Sequence, residues 1–359
     1  MLNLGEVLLF TQVFTYGEVE QMELAPLGHV TDEIKAVLTA ARERAAQKIN
    51  TELLGAYWEI GRIIVQYEQS NEEYADYGAE TLKRISKELV RDLGRGFSVS
   101  NLQYMRRFYL AYQNQQTLSV NLSWSHYCEL LSLSDEDARS FYEQEAAKSG
   151  WSVRELKRQI GTSLFERLLL SDGKVNKEKV LELARAGIDY EAPQMIIKNP
   201  YVFEFLGVAE QKPALEKDLE CRLIRHIEDF LLELGRGFMF VGSQQRITLG
   251  NEHYYVDLVF YNKILKAYVL IDLKMGGFKP EFAGQMNAYL NYYKAEVNDD
   301  GDNPPVGIIL CGTKKGVVVE YALGGLSNRV FTSNYTYYIP DKEQLADEVK
   351  ALLEDESDD

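Results

Sequence analysis

Cysteine is scarce: Cys128, Cys221 and Cys311 are the only three in 359 residues, with no C-x-x-C spacing and no paired histidines beside them. That argues against a disulfide framework or a zinc site, so the three read as reduced packing residues. Histidine is equally thin at four, and His226 and His253 read as structural. No hydrophobic run approaches the length of a membrane span. The apolar opening Val7-Leu8-Leu9-Phe10 follows Glu6 without a basic leader, which makes a poor signal peptide. A cytoplasmic protein without a membrane partner is expected, and no tandem repeat is visible.

Positive charge is also short, with 39 Lys and Arg against 55 Asp and Glu and a net charge of −16. Such a balance repels nucleic acid. Its distribution softens the objection: residues 1–35 carry −5 and residues 341–359 carry −7, leaving about −4 on the body. Both ends read as solvated, and Glu354-Asp355-Glu356-Ser357-Asp358-Asp359 as a disordered acidic tail.

What is present begins with helix. Residues 31–190 follow a helical period, including an apolar stripe through Ile49, Leu53, Leu54, Tyr57 and Ile60-Gly61 that reads as core. Within it Lys83, Arg84, Lys87, Arg91, Arg95, Arg106 and Arg107 face only Glu88 and Asp92. The pattern there is a helix, a Gly94-Arg95-Gly96 turn and a Ser98-capped helix exposing Asn101, Gln103 and Arg106, as a helix-turn-helix requires. DNA contact is expected through Arg84, Lys87, Arg95, Asn101, Gln103, Arg106 and Arg107; the bland alternative is a soluble helical hairpin. Trp151-Ser152-Val153-Arg154-Glu155-Leu156 repeats the signature of Phe97-Ser98-Val99-Ser100-Asn101-Leu102, either as a second grip or as a serine cap behind an aromatic staple.

Pro193 and Pro200 break the helical pattern, and the period then changes. A helix is expected over Leu215 to Leu234, strands near 238–249, 254–261 and 266–273, a helix over 280–295 and a strand at Val306 to Leu310. After the polar loop Asp299 to Pro305, a last strand at Tyr335 to Ile339 precedes a C-terminal helix. Two of the strands hold charge where Val or Ile belongs: Asp257 inside Tyr255-Val256-Asp257-Leu258-Val259-Phe260, and Ile271-Asp272-Leu273-Lys274. Burying such groups costs several kcal/mol each unless they are paired. Asp272 and Lys274 share one face of the pleat, and Asp257 can sit beside Asp272 across an antiparallel pair. Two converging carboxylates suit Mg²⁺ (or Mn²⁺), and a lysine beside them could orient water or stabilise charge on a phosphate. This is a phosphodiesterase pattern, whereas a D-x-K tripeptide alone recurs as an ordinary ion pair. A Pro280-capped helix follows, with Gln285 and Tyr289 on one face.

From Glu216-Lys217-Asp218-Leu219-Glu220 to Gly307-Ile308-Ile309-Leu310-Cys311, residues 213–323 resemble the nuclease domain of the YhcG-like family in the PD-(D/E)xK superfamily. Asn50-Thr51-Glu52-Leu53-Leu54, Tyr57-Trp58-Glu59-Ile60-Gly61 and Gly96-Phe97-Ser98 resemble its N-terminal domain, so the likeness spans roughly residues 36–340. It implies an α+β protein of two domains: a mostly helical N-terminal domain over 31–190 and a restriction-endonuclease-like α/β core with a mixed sheet over 191–345. Residues 1–30 stay unassigned, and the tail begins at 346. It also implies Asp257, Asp272 and a helical glutamate as metal ligands, Lys274 as the catalytic lysine, and Gln285 and Tyr289 as a Q-x-x-x-Y element that shapes the site. Glu220 is preferred as the helical acid and Glu216 is the alternative. Asp272 stands where relatives usually carry Glu.

Two functions follow from the resemblance: a Mg²⁺-dependent DNA nuclease whose helical domain locates substrate, or a nuclease fold without turnover that binds nucleic acid or assembles with other proteins. The intact acids, lysine and Q-x-x-x-Y favour the first. A homodimer, protein partners from a defence or restriction locus, and a role in restriction, repair or defence against mobile DNA complete the expectation.

Overall fold

The computed structural model describes residues 27–70, 78–112, 118–171, 177–207, 215–313, 319, 322–323 and 329–355. Most of the unassigned opening segment and the last four residues of the acidic tail therefore lie outside the described residues. The chain divides into two compact units, up to Glu52 and from Leu53 onward. Helix α1, Leu27–Ser70, begins in the first and continues into the second.

In the second unit the helical period is realised as α2 (Gly78–Leu93), α3 (Val99–Ala111), α4 (Trp124–Leu130), α5 (Glu136–Ser149), α6 (Val153–Gly161), α7 (Leu164–Ser171) and α8 (Lys177–Ala186). The stripe on α1 needs correction. Leu54, Gly61, Ile64 and Val65 are buried, whereas Ile49 and Leu53 are 63% and 47% exposed. Gly61 is the contact point: a Cβ there would run into the Met105 carbonyl, so glycine lets α1 lie directly on α3.

Past this come β1 (Tyr201–Val202), α9 (Glu216–Arg225), α10 (Ile227–Leu234), β2 (Phe238–Leu249), β3 (Glu252–Asn262), β4 (Ala267–Gly277), α11 (Pro280–Tyr292), β5 (Val306–Thr313), β6 (Val330–Thr336) and α12 (Lys342–Asp355). The single helix expected over 215–234 is two, broken at His226, whose φ of −111° and ψ of 37° leave the helical region. The last strand lies earlier than expected and pairs with β1, which the sequence pattern did not reveal.

The six strands form one mixed sheet in the order β1-β6-β5-β4-β3-β2. Contacts β1-β6, β6-β5 and β5-β4 are parallel, while β4-β3 and β3-β2 are antiparallel. Alternation sorts the side chains. Val269, Ile271 and Leu273 face a core shared with α9, α10 and the helices, while Leu270, Ile309 and Cys311 face α11. Gly307 admits that helix: a Cβ would lie 2.6 Å from the Met286 sulfur.

The helices are tied to the sheet by a buried ion network. Arg167 of α7 is fully buried and donates to Glu233 of α10 at 2.5 Å, to the Pro200 carbonyl at 2.8 Å and to the Thr162 carbonyl at 2.7 Å. Glu233 also accepts from the Val202 amide at 3.0 Å and from Arg158 at 3.2 Å, and Lys198 lies 3.8 Å away. Burial alone would push the Glu233 carboxyl up, but Arg167, Lys198 and Arg158 hold it down at about 2. Glu233→Gln removes the counter-charge of the buried Arg167 and Lys198 and of the partly buried Arg158. The variant should lose about 3–5 kcal/mol, the cost of breaking a buried pair on one side, read as a lowered urea midpoint with unchanged slope.

Candidate active site

The antiparallel register pairs Leu258 with Ile271, so Asp257 and Asp272 stand opposite one another at the next step. There the β3–β4 ladder stops, although β3 continues along β2 to Glu252 and β4 continues along β5 to Gly277. The strands part at the two acids. The Leu273 amide, left without a strand carbonyl, donates to Asp257 Oδ2 at 2.8 Å. One side chain thereby replaces a ladder bond and is fixed by the backbone it serves.

Asp272 is 2% exposed. The Lys274 ammonium lies 2.9 Å from its Oδ2, so the two form an ion pair inside the protein. Burial first, then the neighbouring Asp257 charge, push the carboxyl up to about 7, against the pull of Lys274. For Lys274, burial works to lower the pKa, but Asp272 outweighs it and the group is raised, so it stays an ammonium. It lies over the Phe282 ring, 5.1 Å from the centroid.

Helix α9 brings both candidate glutamates to this place. Glu220 is 6% exposed, and its Oε2 accepts from Gln244 Nε2 at 2.7 Å. The same nitrogen donates to Asp257 Oδ1 at 3.1 Å, so one amide bridges two acids. Burial raises the Glu220 carboxyl, and Asp257 adds to the rise. Glu216 sits one turn earlier, accepts from the Met275 amide at 3.2 Å and lies 4.0 Å from Lys274. Both acids therefore border the site, Glu220 on the Asp257 side and Glu216 on the lysine side.

Helix α11 closes the third side. Gln285 donates to the Tyr289 hydroxyl at 2.6 Å, and that hydroxyl reaches the Tyr255 carbonyl at 3.3 Å. Burial pushes the Tyr289 phenol up to about 12, helped by Asp272 and Asp257, so it remains a neutral donor. A cleft of about 460 Å³ opens beside it, lined by Leu249, Tyr254, Phe282 and Gln285 among others.

Gln244 is the residue that sequence reasoning missed. It lies on β2 just after a register shift between Phe240 and Gly242, and its φ of +48° is unusual for a side chain other than Gly, Asn or Asp. Strained backbone beside candidate chemistry is a pointer to function. Among the described residues no three His, Cys, Asp or Glu side chains already surround a point where a metal could sit. The Gln244 amide stands between Glu220 and Asp257, and Lys274 rests on Asp272.

The basic helices follow their expected layout, with Ser98 capping α3 by accepting from the Asn101 amide at 3.3 Å. Arg84, Lys87, Arg95, Gln103 and Arg107 are exposed. Asn101 and Arg106 are not available in the same way. The Asn101 amide donates to the Gly96 carbonyl and accepts from Trp124 Nε1 at 2.8 Å, and Arg106 pairs with Glu68 at 2.6 Å. The second signature is the bland alternative: Ser152 caps α6 at 3.2 Å, Leu156 is buried and Arg158 turns into the Glu233 network.

The comparisons make this a nuclease-type domain behind a helical region. Residues 194–350 match the YhcG PDDEXK nuclease domain, and residues 33–167 match the DUF1016 N-terminal domain. The chain belongs to the YhcG family: it is 39% identical to the Escherichia coli (strain K12) protein named Putative nuclease YhcG, covering 91% of this chain and 95% of that protein. It also overlaps a repair endonuclease from Pyrococcus abyssi over 37% of this chain and 51% of that one, at 14% identity and a TM-score of 0.24, too low to bear on the fold. Among the described residues no helix is long and apolar enough to cross a membrane.

Gln244→Ala would leave the buried Glu220 carboxylate without its donor. A loss of about 1–3 kcal/mol is expected, the cost of one unsatisfied buried polar group, measured by chemical denaturation in divalent-free buffer. No loss would show that the bridge does not hold the two acids.

Proposed function

We propose that this protein is a metal-dependent nuclease that hydrolyses DNA phosphodiester bonds at the point where β3 and β4 part, with residues 191–345 as the catalytic domain and 31–190 as the DNA-binding domain. The observation that carries this reading is the pair Asp257 and Asp272, opposite in register at the end of the ladder, with Lys274 on the same strand face.

The residues fit a hard divalent cation. Asp272 offers a buried carboxylate, and Asp257 and Glu220 bring two more to its neighbourhood, the oxygen ligands that Mg²⁺ and Mn²⁺ take. Asp257, Asp272 and Glu220 would hold the ion; Glu220 is chosen over Glu216 because it is joined to Asp257 through Gln244. When bound, the cation supplies positive charge to the scissile phosphate and to the attacking water. Lys274, held between Asp272 and the Phe282 face, offers a fixed ammonium to charge developing on the phosphate. Tyr289 and Gln285 present neutral donors at the cleft, where the backbone of a bound strand can lie. Exposed Arg84, Lys87, Arg95, Gln103 and Arg107 supply a face for duplex phosphates, and the cell compartment consistent with this substrate is the cytoplasm. Restriction, repair or defence against mobile DNA are the roles such an activity would serve.

Cutting of plasmid and linear DNA should require Mg²⁺ or Mn²⁺ and stop with EDTA. Asp257→Asn and Lys274→Ala should each lower the rate at least a hundredfold, the scale on which loss of a positioned charge acts, while circular dichroism shows a folded chain. Cutting that persists in both variants would assign the activity to a contaminant; DNA binding without cutting in the parent protein would instead favour the assembly reading.

The basic face has its own test. Arg84→Glu with Lys87→Glu and Arg107→Glu should weaken duplex binding and flatten its salt dependence by roughly one unit of slope per lost phosphate contact. Asn101→Ala should instead lower thermal stability, because that side chain holds the turn and Trp124. Fluorescence anisotropy at several salt concentrations separates the two; unchanged affinity in the triple variant would remove this surface from the interface.

A further inference from the structure

The first unit presents an apolar stripe with no cover among the described residues. Along α1, Val30, Ile34, Val37, Leu38 and Ile49 are 42%, 57%, 67%, 53% and 63% exposed, and Ala41, Ala45 and Ala46 are exposed as well. Ile34, Leu38, Ala41, Ala45 and Ile49 recur at steps of four, three, four and four, so they fall on one side of a straight helix. From Val30 to Ile49 this stripe is roughly 29 Å long at about 1.5 Å per residue. A polar helix face needs no partner; one carrying these branched side chains does.

The pattern is self-complementary about a point between Ala41 and Arg42. Reversing the helix about that point sets Ile34 against Ile49, Leu38 against Ala45 and Val37 against Ala46, so large residues meet small ones or fill the two ends symmetrically. Charge agrees with the same direction. Residues 27–40 contain Asp32, Glu33 and Lys35, a net −1, whereas residues 41–52 contain Arg42, Arg44 and Lys48 against Glu43 and Glu52, a net +1. An antiparallel pair joins the negative half of each helix to the positive half of the other, while a parallel pair opposes like halves. The segment is neutral in a chain of net charge −16, so this is a place where two copies can approach without strong repulsion.

We infer that α1 is a self-association surface on which two copies of this chain pair antiparallel, related by a two-fold axis at Ala41 and Arg42. The inference is independent of the nuclease reading. An isologous contact of this kind closes at two chains and leaves no open edge.

The test uses the full-length protein. Sedimentation velocity over a wide concentration range should show a reversible dimer, and Ile34→Glu with Leu38→Glu should weaken it at least tenfold without changing the far-ultraviolet circular dichroism. Ala45→Glu, at the small-residue side of the pair, should do the same. Direction is read by oxidation in a Cys221→Ser background, which removes the exposed native thiol. Ala41→Cys should cross-link to itself. Ile34→Cys should not, but should cross-link when mixed with Ile49→Cys. A parent protein that stays monomeric, a dimer indifferent to the glutamates, or self-cross-linking of Ile34→Cys would each overturn the proposal. A monomer whose melting temperature falls with Leu38→Glu would assign the stripe to the chain's own residues 1–26 instead.

Discussion

The parting of β3 from β4 is the constraint on which the site depends. A sheet that stops pairing mid-strand leaves amides and carbonyls that must find partners, because a buried unpaired peptide group costs as much as a lost hydrogen bond. Here Asp257 takes the Leu273 amide, and the acid is held by the backbone of the strand that carries Asp272 and Lys274. Shifting the register by one residue would turn both acids to the opposite faces and undo the substitution. The gap and the carboxylate that fills it are therefore one feature.

Rigid elements deliver the remaining groups. Helix α10 is anchored at Glu233 by Arg167, Arg158 and Lys198, and α9, which precedes it across the His226 break, carries Glu216 and Glu220 to the end of β4. The helical region and one face of the sheet share a single core, so the arginines of α6 and α7 fix the helix pair that brings in the acids. A buried network of this sort specifies geometry more than it adds net stability, since the desolvation of four charges offsets much of their attraction. On the other face, α11 is set close to β5 by Gly307 and brings Tyr289 within reach of the Tyr255 carbonyl.

Much of this was legible from residue order. Strands β2 to β5 and helix α11 follow from apolar alternation, Pro280 and the change of period, and the acids stood out because they interrupted that alternation. What was not legible depends on partners remote in sequence. Periodicity places Ile49 and Leu53 on the same helix as Leu54 and Gly61 but cannot say which side is covered, and only Met105 against Gly61 decides it. Asn101 and Arg106 read as surface groups until Trp124 and Glu68 are seen to occupy them. Gln244 was hidden because the bulge before it and its left-handed backbone break the period-two rule that revealed its neighbours.

The charge of the site bears most directly on the proposed function. Glu216 and Asp272 lie beside the Lys274 ammonium, and Glu220 and Asp257 share the Gln244 amide. With the acids ionised this is a negative cluster, and with Asp272 held up near 7 it still has more acids than bases. A phosphodiester approaching such a cluster would be repelled, and no rearrangement of these side chains changes the sign. A cation of higher charge does, because the largest local charge in a site sets its potential. The bridge by Gln244 has a physical sense of its own: one neutral amide donates to two acids of like charge and so holds them side by side.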